Sequence, residues 1–371
     1  MVNYLNKNLI SISSNLKRFS GLKAKIMEVC GTHTMAISKY GIRNLLPEGV
    51  ELISGPGCPV CVTEPGIISV AIELAKHGIT IVTFGDMMRV PSSKGSLQEA
   101  RAKGADVRVI YSPLDAVEMS FSNPSIDICF FAVGFETTAP GIVLSLKKAV
   151  EFGLKNFTML TSMRTIPPAM EEIAKDANVN INGFLAPGHV STIIGSRPYM
   201  NIVKKYGIPS VVSGFSASDI IASLDMLLTM IEKGDRNVRV QYDSVVKEEG
   251  NKKAKDIIDS YFVVSDILWR GLGIIKDSGL RIKDEFSMFD ALIKYDLQVE
   301  VEEEPTGCLC GDVLGGRIVP INCPLFGSVC TPEKPVGPCM VSSEGSCSAY
   351  YKYRSVKKYI QDVSQRWRLM M

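Results

Sequence analysis

Between residue 24 and about residue 215, short runs of β-branched and aromatic residues alternate with amphipathic stretches of helical period. That alternation restricts the chain to βαβ units on parallel sheets. The expected strands are 25–29, 50–54, 80–84, 107–111, 126–133, 157–161, 181–185 and 210–213, separated by stretches such as GIISVAIELAKHG, APGIVLSLKKAVEFG and PPAMEEIAKDANV. Eight strands in two runs of four predict two similar α/β domains, residues 22–120 and 121–235, divided near FSNPS at 121–125. Residues 236–371 are expected to hold a helical segment and a C-terminal lobe. Residues 217–300 read as mainly helical, with KEEGNKKAKD as a solvated turn or helix start. From Glu302 the composition changes to Gly, Pro and Cys, which predicts a lobe held by a metal or cluster rather than by its own core. The tail YYKYRSVKKYIQDVSQRW resumes a helical pattern with a basic face.

A chain of 371 residues suits two or three domains. With 41 basic against 39 acidic residues mixed along the sequence, it lacks the electrostatic footprint of a nucleic-acid binder. No apolar run reaches the roughly 18 residues that span a bilayer, and the N-terminal stretch has no signal-peptide pattern. The expected location is therefore cytoplasmic.

Ten cysteines in a large chain with ample core residues do not need to form disulfide staples. Their placement is more informative. Six of them (Cys308, Cys310, Cys323, Cys330, Cys339, Cys347) fall within forty residues, and Cys30, Cys58 and Cys61 lie at turn signals near the N-terminus. Cys129, inside IDICFFAV, reads as an ordinary buried thiol.

Parallel sheets bind ligands at the carboxyl ends of their strands. The unusual residues lie there, in Cys30-Gly-Thr-His-Thr, Gly55-Pro-Gly-Cys-Pro-Val-Cys61, the segment 134–140 around Glu136, and Pro187-Gly-His-Val-Ser191. Cys58 and Cys61 form a C-x-x-C at a helix start, where free amides and the macrodipole favour a thiolate and hence thiol–disulfide chemistry. Half of a zinc site and a structural pair are the rival readings. Cys30, with His33 three residues on, is a candidate ligand or nucleophile. Of the three histidines, His33 and His189 occupy strand-end loops, while His77 fits a helix C-terminus. Glu136 fits a helix cap as well as a ligand or proton carrier. At the C-terminus, Cys310-x12-Cys323-x6-Cys330-x16-Cys347 supplies the four thiolates of a 4Fe–4S cube. Zinc is the rival, although paired C-x2–4-C knuckles are missing, and Cys308 and Cys339 compete for the same positions. No phosphate-cradling glycine motif supports a nucleotide site.

CGTHT at 30–34, GPGCPVC at 55–61, GFETTAP at 134–140, APGHVSTIIG at 186–195 and the segment 323–353 together resemble the HypD family of hydrogenase maturation proteins. The resemblance covers almost the whole chain. It implies two Rossmann-like α/β domains and an iron–sulfur lobe. It further implies a scaffold for the Fe(CN)2CO group of nickel–iron hydrogenases, working with a HypC-type small chaperone and a HypE-type cyanide donor. By motif, Cys30 corresponds to the thiol proposed to bind the substrate iron, Cys58 and Cys61 to a redox pair, and His33, Glu136 and His189 to residues around that site. A freestanding iron–sulfur thiol–disulfide oxidoreductase and a zinc-stabilised interaction protein are the alternatives.

Overall fold

The computed structural model describes residues 14–353. All eight expected strands are present: β1 (Ala24–Glu28), β2 (Val50–Ser54), β3 (Thr80–Thr83), β4 (Val107–Val109), β5 (Ile128–Gly134), β6 (Phe157–Arg164), β7 (Gly183–Pro187) and β8 (Ser210–Ser213). Three more follow: β9 (Val238–Val240), β10 (Phe262–Trp269) and β11 (Gly273–Ile282). The first sheet has the order β2-β1-β7-β8-β9 and is wholly parallel. The second has the order β10-β11-β6-β5-β3-β4, parallel except for the antiparallel β10–β11 hairpin at one edge. β5 (ICFFAVG) is buried along its whole length, as a central strand covered on both faces must be.

The sheets do not follow the expected order of four strands and then four. The chain lays down β1 and β2 in the first sheet, builds β3 to β6 in the second, and returns for β7 to β9. A division at 121–125 therefore falls inside the second sheet, between a helix (Pro113–Ser122) and β5. An apolar run specifies a buried strand but not which distant strand it pairs with, and here β1 pairs with β7, so that Met27 lies opposite Phe184. Asn182 seals that joint: its Oδ1 accepts the Lys25 N–H at 2.7 Å and its own N–H donates to Lys25 O at 2.8 Å.

Residues 217–300 are less helical than expected. Helices occupy Ala217–Lys233, Lys252–Tyr261 and Ala291–Lys294, but 262–282 is the hairpin. KEEGNKKAKD is a helix start, where the Asn251 side chain accepts the Ala254 N–H. The basic tail lies mostly beyond residue 353, outside the described residues.

The cysteine-rich segment is not a separate lobe with a private interior. Its buried Cys310, Leu314, Cys339 and Met340 share one apolar cluster with Met27 of β1 and Trp269 of the hairpin. Gly316 rests on Met27 and Ile53, and Gly271 (φ +76°) rests on Gly311, next to Cys310, where a Cβ would lie 2.1 Å from the Gly311 Cα. Arg89 ties the segment to the second sheet by donating to the Pro332 and Val341 carbonyls at 3.0 and 3.2 Å.

This packing separates two glycines of the same hairpin turn. Gly271→Ala should cost about 2–4 kcal/mol, from strain plus a backbone collision. Gly273→Ala, at φ +78° with open space around it, should cost only about 1 kcal/mol. Urea unfolding of the two variants measures the difference.

Candidate functional site

Cys30 closes β1 and caps the helix Gly31–Lys39 in extended conformation. Its loop is pinned from below by Glu28, whose Oε2 accepts the Cys30 N–H at 3.2 Å while Oε1 accepts the Thr34 hydroxyl at 2.5 Å. The loop after β2 meets it directly. Gly31 N–H donates to Gly57 O at 2.8 Å, and a Cβ on Gly57 would fall 2.2 Å from the Cys30 nitrogen. Only glycine allows that approach, and it brings Cys58 beside Cys30.

Cys58 and Cys61 are joined as a disulfide across a one-turn helix (Pro59–Val62). The Cys61 N–H points at Cys58 Sγ, 3.2 Å away. Both residues are almost fully buried, at 3% and 0% exposure. The expected helix-start geometry is present, but the pair is closed to bulk solvent in this state.

From β7 and β8 come His189 and the Ser213–Ser216 turn. His33, wholly buried, has Nε2 2.9 Å from Gly214 O, while its Nδ1 has no partner. Phe215 stacks on both histidines, with centroids 4.9 Å from His33 and 3.7 Å from His189. The turn that carries it is rigid: Ser216 and Asp219 form a capping box, and the Gly214 N–H donates to Gln241 Oε1 at 3.0 Å. The second sheet contributes Phe135 and Glu136. Phe135 packs in the same apolar cluster as Cys58, Cys61 and Tyr199. Glu136 Oε1 accepts the Ile166 N–H at 2.8 Å, so it does cap a helix (Ile166–Lys175), but across the structure rather than in its own turn. Its Oε2 is buried without a partner.

Burial dominates the electrostatics. It pushes the Cys30 thiol up to about 12, helped by the nearby Glu344 and Glu28 carboxyls. It lifts both Glu28 and Glu136 to about 7 and depresses His33 to about 4. The site is thus poised to hold protons on sulfur and carboxyl and none on His33. The half-exposed His189 is also depressed by burial.

Opposite this junction lie the C-terminal cysteines. Cys308, Cys310, Cys323, Cys330 and Cys347 line one cavity whose other walls are apolar, including Leu325 and Phe326. Gly337 is part of that wall, and a Cβ there would lie 2.6 Å from the sulfurs of both Cys308 and Cys310. Cys339 lies behind, against Cys310 and Cys347. Cys310 and Cys339 hold Cys347 down to about 6, while Cys310, Cys347 and burial hold Cys339 well above the usual thiol range. Among the described residues no three His, Cys, Asp or Glu side chains are already arranged as a metal site. The two cysteine sets, far apart in sequence, touch in space: Cys61 Sγ is 3.9 Å from Pro338 O, and Thr32 donates to Glu344 at 2.8 Å.

Comparison with known proteins decides the family. The model for HypD, described as the hydrogenase formation hypA family, matches residues 5–354. This chain belongs to the HypD family. It is 43% identical over 334 residues to a putative hydrogenase expression/formation protein of Methanocaldococcus jannaschii, covering 90% of this chain and 93% of that protein. It is 44% identical over 334 residues to hydrogenase maturation factor HypD of Rhodobacter capsulatus (88% and 89% covered) and 41% identical over 352 residues to that of Escherichia coli (94% of both). The HypD-like motifs read from the sequence are those that meet at the junction.

Other members of this HypD junction carried no usable sequence signal. Glu28 sits inside an ordinary strand, and Phe215 and Tyr199 look like core residues. Glu344 lies in a Ser/Gly turn more than three hundred residues from the Thr32 it bonds. By contrast His77, whose Nδ1 lies 2.9 Å from its own helix's Glu73 O, and the buried Cys129 lie outside the junction, in the structural places expected of them. No helix among the described residues is long and apolar enough to cross a membrane.

Because Glu136 is raised from 4.5 to about 7 in the fold, the native state binds its proton more tightly than the unfolded chain. Its contribution to stability is present below pH ~4.5 and is lost as pH rises through about 7. Glu136→Gln should remove that dependence. Between pH 5 and pH 8 the natural chain should lose roughly 2.5 kcal/mol relative to the variant in urea unfolding.

Proposed function

We propose that this hydrogenase maturation factor is the scaffold on which the Fe(CN)2CO group is assembled, with Cys30 holding the substrate iron. The observation that supports this most is the position of the Cys30 thiol. It is buried, its backbone seated on Gly57 next to the Cys58–Cys61 pair and its loop packed against Glu344 of the cysteine-rich segment. A thiol held near 12 keeps its proton until a cation displaces it, so iron loading and proton release are coupled there. Thiolate is the fitting ligand, because iron bearing cyanide and CO is soft. A single thiol also permits handover, which a closed four-thiolate cage does not. His33, held near 4 by burial and sharing the Phe215 ring with His189, is uncharged at ordinary pH, so its unpartnered Nδ1 can offer a lone pair rather than a cation. Glu136, with one free oxygen and a pKa of about 7, is suited to take or give a proton.

The donor set around the C-terminal cavity suits an iron–sulfur cluster. Its donors are sulfurs, its walls are apolar, and Gly337 leaves space where a Cβ would strike two of the thiols. Cys310, Cys323, Cys330 and Cys347 would hold the group, with Cys308 beside Cys310. When bound, it would supply single electrons next to the Cys58–Cys61 disulfide. A HypC-type chaperone presenting a further thiol and a HypE-type cyanide donor are the partners this chemistry requires. The freestanding oxidoreductase is the weaker reading, since a disulfide exposed by 3% and 0% is out of reach of a protein substrate.

Anaerobic Cys30→Ala protein, isolated with its small partner, should lose the CO and CN infrared bands while keeping the broad visible absorption and iron of the cluster. Bands of full intensity in that variant would move the iron site to Cys58 or Cys61. Cys323→Ala should abolish the visible absorption and most of the bound iron. Unchanged iron content would remove the cluster from this cavity.

A further inference from the structure

The cysteines of the junction stand on three different elements: Cys30 at the head of the helix Gly31–Lys39, Cys58 and Cys61 in the loop that leaves β2, and Cys347 on the helix Ser346–Lys352. One side chain touches all three elements. Arg43 lies in a short 3-10 helix (Ile42–Leu45), its side chain only 20% exposed, and each of its three nitrogens has a separate acceptor at 3.0 Å. Nη1 donates to Ser38 Oγ, near the end of the helix that Cys30 caps. Nε and Nη2 donate to Leu52 O and Ser54 Oγ of β2. The remaining face of the guanidinium is covered by the Tyr350 ring, 4.6 Å away.

Each of these contacts bears on a cysteine. Ser54 is the last residue of β2, and beside it the Gly55 N–H donates to Glu28 O at 2.7 Å, at the start of the loop whose Gly57 seats on Cys30. Arg43 Nη2 also lies 4.0 Å from Glu28 Oε1, in the carboxyl whose other oxygen accepts the Cys30 N–H. Tyr350 follows Cys347 by about one turn of the same helix. Lysine could not reproduce this arrangement, because an ammonium has neither a rigid fork for several acceptors nor a plane for a ring to cover.

We propose that Arg43 is a positioning residue that couples the three elements, carrying any shift of the Cys347 helix through Tyr350 to the loops that hold Cys30. The inference rests on the scaffold reading for the use made of Cys30. A scaffold whose iron-holding thiol and cysteine-rich cavity come from opposite ends of the chain needs a contact that fixes one relative to the other. The edge of the guanidinium is committed to the helix and strand beside Cys30, and its face to the cysteine-rich segment. A displaced ring therefore opens the fork to water and weakens its hold on both.

The test uses the full-length chain, purified anaerobically without partners, as the natural protein, Tyr350→Phe, Tyr350→Leu, Arg43→Lys and the double variant. The rate of Cys30 modification by iodoacetamide is read by peptide mass spectrometry. Buried Cys129, outside the junction, reports general loosening of the same chains. Tyr350→Leu should raise the Cys30 rate severalfold and leave Cys129 unchanged, while Tyr350→Phe, which keeps a ring, should match the natural chain. Arg43→Lys should also raise the rate, and adding Tyr350→Leu to it should raise it no further, because the ring acts through the guanidinium. An unchanged Cys30 rate in Tyr350→Leu, a Cys129 rate rising in step with it, or effects that multiply in the double variant would each overturn the inference. The readout requires no iron, so infrared bands that persist in Cys30→Ala would overturn the scaffold reading and leave this coupling intact.

Discussion

The close seating of Gly57 on the backbone of Val29 and Cys30 is the contact on which the junction depends. It converts two neighbouring strand ends into one surface, with Cys30 on one side and the Cys58–Cys61 turn on the other. A side chain at position 57 would push the two loops apart at their backbones, where no rotamer change could accommodate it. The buried Glu28 completes the arrangement by accepting from the Cys30 N–H and the Thr34 hydroxyl.

Around that contact the molecule is assembled in layers of reach. The first sheet supplies Cys30, the disulfide and both site histidines. The second supplies Glu136 and the hairpin whose Arg270 N–H donates to Val62 O at 2.9 Å, one residue past Cys61. The cysteine-rich segment then lies over both. Its sulfurs need no core of their own, because they borrow one from β1 and the hairpin. Two fully buried arginines support the hairpin side. Arg164 is paired with Glu64, and Arg270 lies 3.1 Å from Glu304, without hydrogen-bond alignment at its Nε. Buried ion pairs of this kind add little net stability, but removing one partner strands a charge.

Local structure was legible in the sequence, and so were the loops that carry chemistry. Strands such as ICFFAVG announce themselves by continuous apolar, β-branched and aromatic residues, and each chemical motif follows a strand as parallel-sheet geometry requires. Strand partnership was not legible. The β1–β7 pairing depends on register and on Asn182, neither of which is marked by composition. The hairpin was hidden for a related reason: Val263, Val264 and Ile274 are exposed, so its apolar residues do not alternate as those of a half-buried strand should. In the site, residues with distinctive chemistry in glycine-rich loops stood out. Glu28, Tyr199 and Phe215 did not, because a buried carboxyl or ring looks like its surroundings until the distant segment that meets it is known.

The interleaved path also has a consequence in time. β1 leaves the ribosome about 150 residues ahead of β7, the partner on one of its two edges. At roughly 5–20 residues per second, that edge waits on the order of ten to thirty seconds with its amides unpaired. Meanwhile β3 to β6, contiguous in sequence, can close the parallel part of their own sheet. The nascent chain thus passes through a stage in which the half that will carry Cys30 is an open, apolar β-edge tethered to a neighbour whose parallel strands are already paired. Such an edge is prone to pair with the wrong strand, so the yield of folded protein depends on how long it stays uncovered.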